Sequence, residues 1–301
     1  MTEFGGQDLE GGHGFGGQSM VDPLRRVLVK RPDESFAVAD AAEWGYVARP
    51  SLERARREHD YLVAILRRNQ IEVIYHDEPQ PGRADAVFVC DPVLITNAGA
   101  VVLKMAKPSR GGEEQALEKR LVALGIPVLF RLEGNARAEG GDLLWLDSTT
   151  LAVGQGFRTN ATGFHQLREG LAKIGVRVFP VSLPYWHGPS TCLHLLSLIS
   201  LVDHDLAVVH SPLLPVAFWQ HLRSRGINLV EAPEEELPTL APNVLAMGPR
   251  NVVMLAGNPI TQRRLQEAGC QVWLYEGKDV SWKAEGGPTC LTRPILRQRP
   301  A

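Results

Sequence analysis

Cysteine is scarce in this chain of 301 residues: Cys90, Cys192, Cys270 and Cys290 stand far apart, and no two form a CxxC pair. That spacing offers neither a disulfide framework nor a zinc-type Cys/His set. It suits a reduced, cytoplasmic compartment. Apolar runs are also short, none reaching the ~18 residues that a membrane-spanning helix needs. An excess of one charge is missing too. Thirty-two Lys and Arg face 34 Asp and Glu, for a net charge of −2, which argues against nucleic acid or an anionic membrane as the main partner. The basic clusters Arg54–Arg57 and Arg67–Arg68 fall on an expected helix and read as a solvated face. Residues 1–23 are glycine-rich without an apolar segment, and read as a flexible tail rather than a signal peptide. No linker interrupts residues 24–301, which are expected to form one domain.

Hydrophobic residues make up 44% of the chain, enough for a large core, and they recur in a pattern. Five times, short β-rich runs precede a helix with apolar residues at 3.6 spacing, and a further strand follows. The first cycle holds "RVLVKRP", a helix over 51–69 and "IEVIYH". The second holds "AVFV", "VLIT" and "AVVLKM", a helix over 113–124 and "IPVLF". Later cycles place helices over 162–173, 215–225 and 259–267, the fourth opening on "LHLLSLIS". Gly125, Gly175, Gly226 and Gly269 stand where each of four helices should stop, because glycine accepts the left-handed conformation that ends a helix. Five ββαβ-like units predict an α/β repeat fold that closes on itself, a five-bladed α/β propeller.

Unusual polar residues collect at the strand ends: Asp85 and Asp91 in "ADAVFVCDP", Glu139 and Asp142 in "AEGGDLLWL", His194 in "TCLHLLS", and Cys290 in "GGPTCLT". Strand ends meeting at a centre are where such a fold would build a pocket. Each residue alone has an ordinary explanation: a turn for Asp142, a core histidine for His194, a small buried hydrophobe for Cys290. Together they supply a thiol, an imidazole and carboxylates, the set for Cys/His nucleophilic chemistry.

In their order and spacing, "FVCDP", "EGGD…GFRTNATG", "LHL" and the late "GGPTCLT" resemble the guanidine-modifying enzymes of the pentein fold. The likeness is closest to dimethylarginine dimethylaminohydrolases, with arginine deiminases and amidinotransferases as relatives. The resemblance implies a five-bladed ring and a triad of Glu139, His194 and Cys290. It implies that Asp91, and with it Asp85, grips the substrate guanidinium, while Arg110 and Arg158 hold an α-carboxylate. The implied reaction is hydrolysis of an N-methylated arginine to citrulline and an alkylamine, with arginine deimination or amidino transfer as alternatives. A non-catalytic binding protein on the same fold is a further alternative. In arginine and agmatine deiminases an Asp follows the catalytic His by two residues. Here that position is Leu196, which could lie against N-methyl groups and so favours an alkylated substrate.

A guanidinium stays charged at neutral pH, so its burial requires carboxylates, and its carbon requires a thiolate as nucleophile. This chemistry needs no metal or organic cofactor. The expected partner is a small guanidino amino acid, with neither nucleic acid nor membrane involved and a homodimer possible. Residues 34–50, with Phe36, Trp44 and Tyr46, read as a lid over the pocket mouth, with a packed edge segment as the alternative. Cys192, two residues before His194, reads as a structural thiol.

Overall fold

Each unit of the repeat yields a three-stranded sheet, and the computed structural model, which describes residues 14–37, 40–189 and 191–298, contains five of them. In the first, β1 (Leu24–Val29) runs parallel to β2 (Glu72–Tyr75) and antiparallel to the last strand, β15 (Arg293–Arg297). The second joins β3 (Val93–Thr96), β4 (Gly99–Val102) and β5 (Val128–Arg131). The third joins β6 (Leu143–Asp147), β7 (Thr150–Gln155) and β8 (Arg177–Ser182). The fourth is β9 (Ile199–Asp203), β10 (Leu206–Val209) and β11 (Asn228–Glu231), and the fifth β12 (Leu245–Gly248), β13 (Asn251–Leu255) and β14 (Gln271–Tyr275). In every sheet the middle strand pairs antiparallel on one side and parallel on the other. A helix makes each parallel crossover possible.

Two short helices, α1 (Glu34–Ala37) and α2 (Ala41–Trp44), precede the five crossover helices. These are α3 (Leu52–Arg68), α4 (Glu113–Ala123), α5 (Ala161–Ala172), α6 (Val216–Ser224) and α7 (Pro259–Glu267). Ser51 caps α3 by accepting from the Arg54 amide. The four helix-stop glycines take φ between +75° and +84°, as the pattern of helix ends requires. The crossover helices turn apolar residues onto their sheets; Leu62 and Leu66 of α3 are fully buried, each worth about 2 kcal/mol relative to exposure.

The structure departs from the sequence reading in three places. "AVFV" is not a strand: Ala84–Val87 form a 3-10 turn, closed by the Phe88 amide donating to the Asp85 carbonyl. "LHLLSLIS" begins with another, Leu195–Ser197, before β9. Residues 14–23, assigned to a flexible tail, are packed: the Gly16 amide donates to Ile295, Gly16 accepts from Arg297, and Val21 is buried. The rest of that tail, residues 1–13, lies outside the described residues.

Asn160 shows how a cap positions the centre. Its Oδ1 accepts from the amides of Gly163 and Arg137, and its own amide donates to the Arg137 carbonyl. The start of α5 is thereby tied to the segment that leads into Glu139. Asn160→Ala removes the cap and this tie, and is expected to lower unfolding free energy by about 2 kcal/mol in urea titration.

Candidate active site

Glu139 is completely buried just before the 3-10 turn Gly140–Asp142, and both its oxygens are occupied. Oε1 accepts from the Ala106 amide at 2.9 Å, while Oε2 lies 2.9 Å from His194 Nε2, which donates to it. Arg158 Nη1 reaches both oxygens, at 2.9 and 3.2 Å. Burial alone would raise the pKa of Glu139. The hydrogen bond from His194 and the charge of Arg158 outweigh it and hold the carboxyl well below its ordinary range. His194 is pulled in opposite directions in the same way. Burial lowers its pKa, but Cys192, Asp142 and Glu139 outweigh that and keep the imidazole protonated well above its usual pH.

The "EGGD" run is dictated by crowding around this pair. A Cβ on Gly140 would stand 2.1 Å from the Cys90 carbonyl oxygen, and one on Gly141 2.5 Å from His194 Nδ1. Asp142, also buried, accepts from the Leu195 amide at 3.0 Å and from Thr159 Oγ1 at 2.6 Å. It thus fastens the Glu139 turn to the His194 turn. Burial pushes its pKa up to about 6, against the opposing pull of His194 and its two donors.

Cys290 lines the same cavity as His194, a space of about 640 Å³. The glycines before it permit close approach: a Cβ would meet Phe88 at 2.2 Å from Gly286 and Asn243 at 2.5 Å from Gly287. Asn243 holds the cysteine turn from both sides. Its Oδ1 accepts from the Thr289 amide at 3.1 Å, and its Nδ2 donates to Cys290 Sγ at 3.4 Å. Burial, with Asp91 adding, pushes the Cys290 thiol up to about 12, although His194 pulls the other way. Cys192 also lines the cavity, with its sulfur 3.6 Å from His194 Nδ1.

The residues expected to bind substrate are arranged less simply. Asp91 Oδ1 accepts from the Gly141 amide at 3.0 Å and Oδ2 from Arg110 Nη1 at 2.7 Å. Asp91 lines the cavity, and a carboxylate keeps further lone pairs for a ligand. Arg110, expected to clasp an α-carboxylate, is instead buried in a cluster of the protein's own acids. It binds Glu113 through Nε and Nη2 at 3.0 and 2.8 Å as well as Asp91. Asp85 accepts from Tyr46 and Lys107, each at 2.9 Å. Arg158 faces the cavity while held by Glu139.

Leu196 is a correction. It lies in the 3-10 turn, which directs it into the apolar core with Leu195 and Leu198, and it does not line this cavity; Leu193 and Ser197 do. An argument for methylated substrates that rests on Leu196 therefore fails. Within the supposed lid, Trp44, Gly45 and Val47 wall the cavity and the Val47 amide donates to the Lys283 carbonyl, while residues 38–39 lie outside the described residues. Phe36, Trp44 and Tyr46 are buried, so the described part of the segment packs against the body of the protein.

Asn243, Lys107 and Glu113 escaped the sequence reading, and Tyr46 was read as part of a lid rather than as a partner of Asp85. Asn243 follows a proline at the entry to a strand, and only the folded chain brings it to Cys290. Lys107 shares "KPSR" with Arg110, the one local signal that could have found it.

Below its pKa a thiol gains about tenfold in thiolate per pH unit. Alkylation of Cys290 by iodoacetamide, followed on its own peptide by mass spectrometry, should therefore climb about 100-fold from pH 7 to 9 without levelling. A rise of only about 25-fold, already bending over at pH 9, would mean a thiol near the ordinary ~8.5.

Comparison with known proteins bears on the family and the fold. The family described as N,N dimethylarginine dimethylhydrolase, eukaryotic, matches residues 41–297. The N(G),N(G)-dimethylarginine dimethylaminohydrolase of Streptomyces coelicolor is 29% identical over 272 residues, covering 90% of this chain and 96% of its own. A Pseudomonas aeruginosa dimethylarginine dimethylaminohydrolase mutant complexed with citrulline superimposes with a TM-score of 0.74 at 23% identity, over 90% of this chain and 98% of its own. The N-terminal domain of ArgZ, a cyanobacterial arginine dihydrolase bound to product, gives a TM-score of 0.78 at 20% identity, over 92% and 98%. These likenesses carry the fold, a five-sheet α/β architecture of pentein type. With the match over residues 41–297, the chain belongs to the eukaryotic N,N-dimethylarginine dimethylhydrolase family.

Proposed function

We propose that this chain hydrolyses the guanidinium of an N-methylated arginine to citrulline and an alkylamine. The observation that carries the reading is the pairing of buried His194 with Glu139 beside the cavity that Cys290 also lines. A bound cation beside Cys290 supplies what the free site lacks, because positive charge favours thiolate. The Cys290 proton leaves to solvent as the cation enters. Sulfur then bonds to the guanidinium carbon, and the protonated His194 gives its proton to the departing amine. The carbon–nitrogen bond breaks and a thiouronium remains on sulfur. A water loses its proton to His194 and attacks; the carbon–sulfur bond breaks, and a ureido product leaves. Asn243, donating to Cys290 Sγ, steadies sulfur in its charged form. All four cysteines are free, and a thiol nucleophile suits a cytoplasmic setting.

Substrate entry requires an exchange of partners. Arg158 occupies Glu139, one of the carboxylates that would grip the substrate guanidinium. When that guanidinium arrives, Arg158 is displaced and turns to the substrate carboxylate, whereas Arg110 remains within its acidic cluster and orients Asp91. A second reading, hydrolysis of unsubstituted arginine, keeps its place because the residue read as selecting for methyl groups does not reach the cavity. With Leu196 in the core, its side chain does not select for methyl groups.

Incubation with asymmetric dimethylarginine and with arginine, scoring citrulline, dimethylamine and ammonia, separates the two readings; citrulline from neither would end both. Cys290→Ser should lower kcat by at least about 10³-fold with unchanged circular dichroism. Arg158→Ala should raise KM at least about tenfold for substrates bearing a carboxylate and leave a carboxamide analogue nearly unaffected. An equal loss on both would assign Arg158 to the site's structure instead.

A further inference from the structure

Next to the nucleophile's turn lies a second, smaller cavity of about 30 Å³. One strand of every sheet contributes to it: Leu94 of β3, Trp145 of β6, Leu201 of β9, Ala246 of β12, and Arg293 and Arg297 of β15. It therefore lies where the five sheets converge. Thr289, the residue before Cys290, is also in its wall.

Two of the lining residues are arginines more than nine-tenths buried, at 8% exposure each. Their bonds run to neutral groups. Arg293 Nη2 donates to the carbonyl of Cys90 and, at 2.9 Å, to its sulfur. Arg297 Nη1 donates to the Asp22 carbonyl at 2.7 Å and Nη2 to the Ala246 carbonyl at 2.8 Å. The Asp22 carboxylate lies near Arg297 and is engaged by His204 at 3.2 Å. Burial lowers Arg297 to about 9, with Arg293 adding to the effect and Asp22 opposing it. Three donors on residues of its wall have no hydrogen-bond partner among the described residues: Arg293 Nε, Arg297 Nε and the Trp145 indole Nε1. Ser19, also in the wall, accepts from the amides of Val21 and Asp22 through Oγ, which leaves its proton to give.

Buried donors require acceptors, and buried charge requires opposite charge. A single water has only two lone pairs for these three donors and carries no charge to set against the two guanidiniums. A carboxylate or phosphate exceeds a space that suits on the order of one or two water-sized guests. We propose that this cavity is a site for one halide-sized anion, chloride under ordinary conditions, accepting from Arg293 Nε, Arg297 Nε and Trp145 Nε1. The anion offsets the two guanidiniums and anchors the start of β15, three residues after Cys290. The site is distinct from the reacting cavity and does not depend on the reaction assigned to it.

The test compares the full chain in sodium chloride, bromide and gluconate at constant ionic strength. Melting temperature should rise by about 3 °C for each tenfold increase in halide above its dissociation constant, with gluconate inert. Trp145→Phe, which keeps one aromatic ring and deletes the N–H donor, should shift this dependence to at least about tenfold higher halide. A crystal soaked in bromide should give an anomalous peak within hydrogen-bonding distance of all three nitrogens. Equal melting in halide and gluconate would overturn the proposal. So would a Trp145→Phe variant with unaltered halide dependence, or density in the cavity without an anomalous signal.

Discussion

The centre of this protein is organised around one buried carboxylate. Glu139 has no contact with solvent, and it collects an imidazole, a guanidinium and a backbone amide. A charge so placed is tolerable only when every lone pair finds a donor. The donors come from three different units of the repeat: Ala106 after the second sheet's hairpin, Arg158 beyond β7, and His194 before β9. Satisfying one carboxylate therefore fixes the relative placement of three sheets. The same pairing keeps His194 charged and correctly turned, so the stability of the core and the readiness of the acid share one origin.

A second acidic group works beside the first. Arg110 is enclosed by Asp91, Glu113 and the carbonyls of Asp85 and Phe88. Burial pushes Glu113 up to about 7 even with Arg110 against it. Of these acids Asp91 and Asp85 line the cavity, and Asp85 is already matched by Lys107. Lys107 lies over the Trp44 ring at 4.6 Å and donates to Asp85, closing the wall with an aromatic face. Tryptophans 44, 186 and 282 border the cavity, giving a cationic ligand flat apolar surfaces as well as carboxylates.

Much of this was legible in the chain. Helix stops at Gly125, Gly175, Gly226 and Gly269 could be read because one residue type alone suits that backbone, and five periodic segments gave the count of sheets. Glu139, His194 and Cys290 stood out through motifs that resemble a family, and the structure sets His194 against Glu139 with Cys290 in the same cavity. Leu196 was misread because spacing along a chain does not reveal direction. A 3-10 turn sends neighbouring side chains to different sides, and His194 and Leu196 part company there. Asn243 left no local trace, since its role exists only where β12 meets the Cys290 turn. Arg110 was found at the right place with the wrong partner, because a sequence names charges without saying which acids lie nearest.

The pairing of β1 with β15 joins Leu24 to Arg297, contacts separated by nearly the whole chain. Contacts of this kind form late, since closing so large a loop is unfavourable until other structure has shortened it. The strand that follows Cys290 is the one that makes them. Folding order should then follow: the four sheets built from local segments can assemble first, and Cys290 is drawn into its turn only when the first sheet is completed. Closure of the Cys290 turn becomes a late event on the folding path, a checkpoint set by topology.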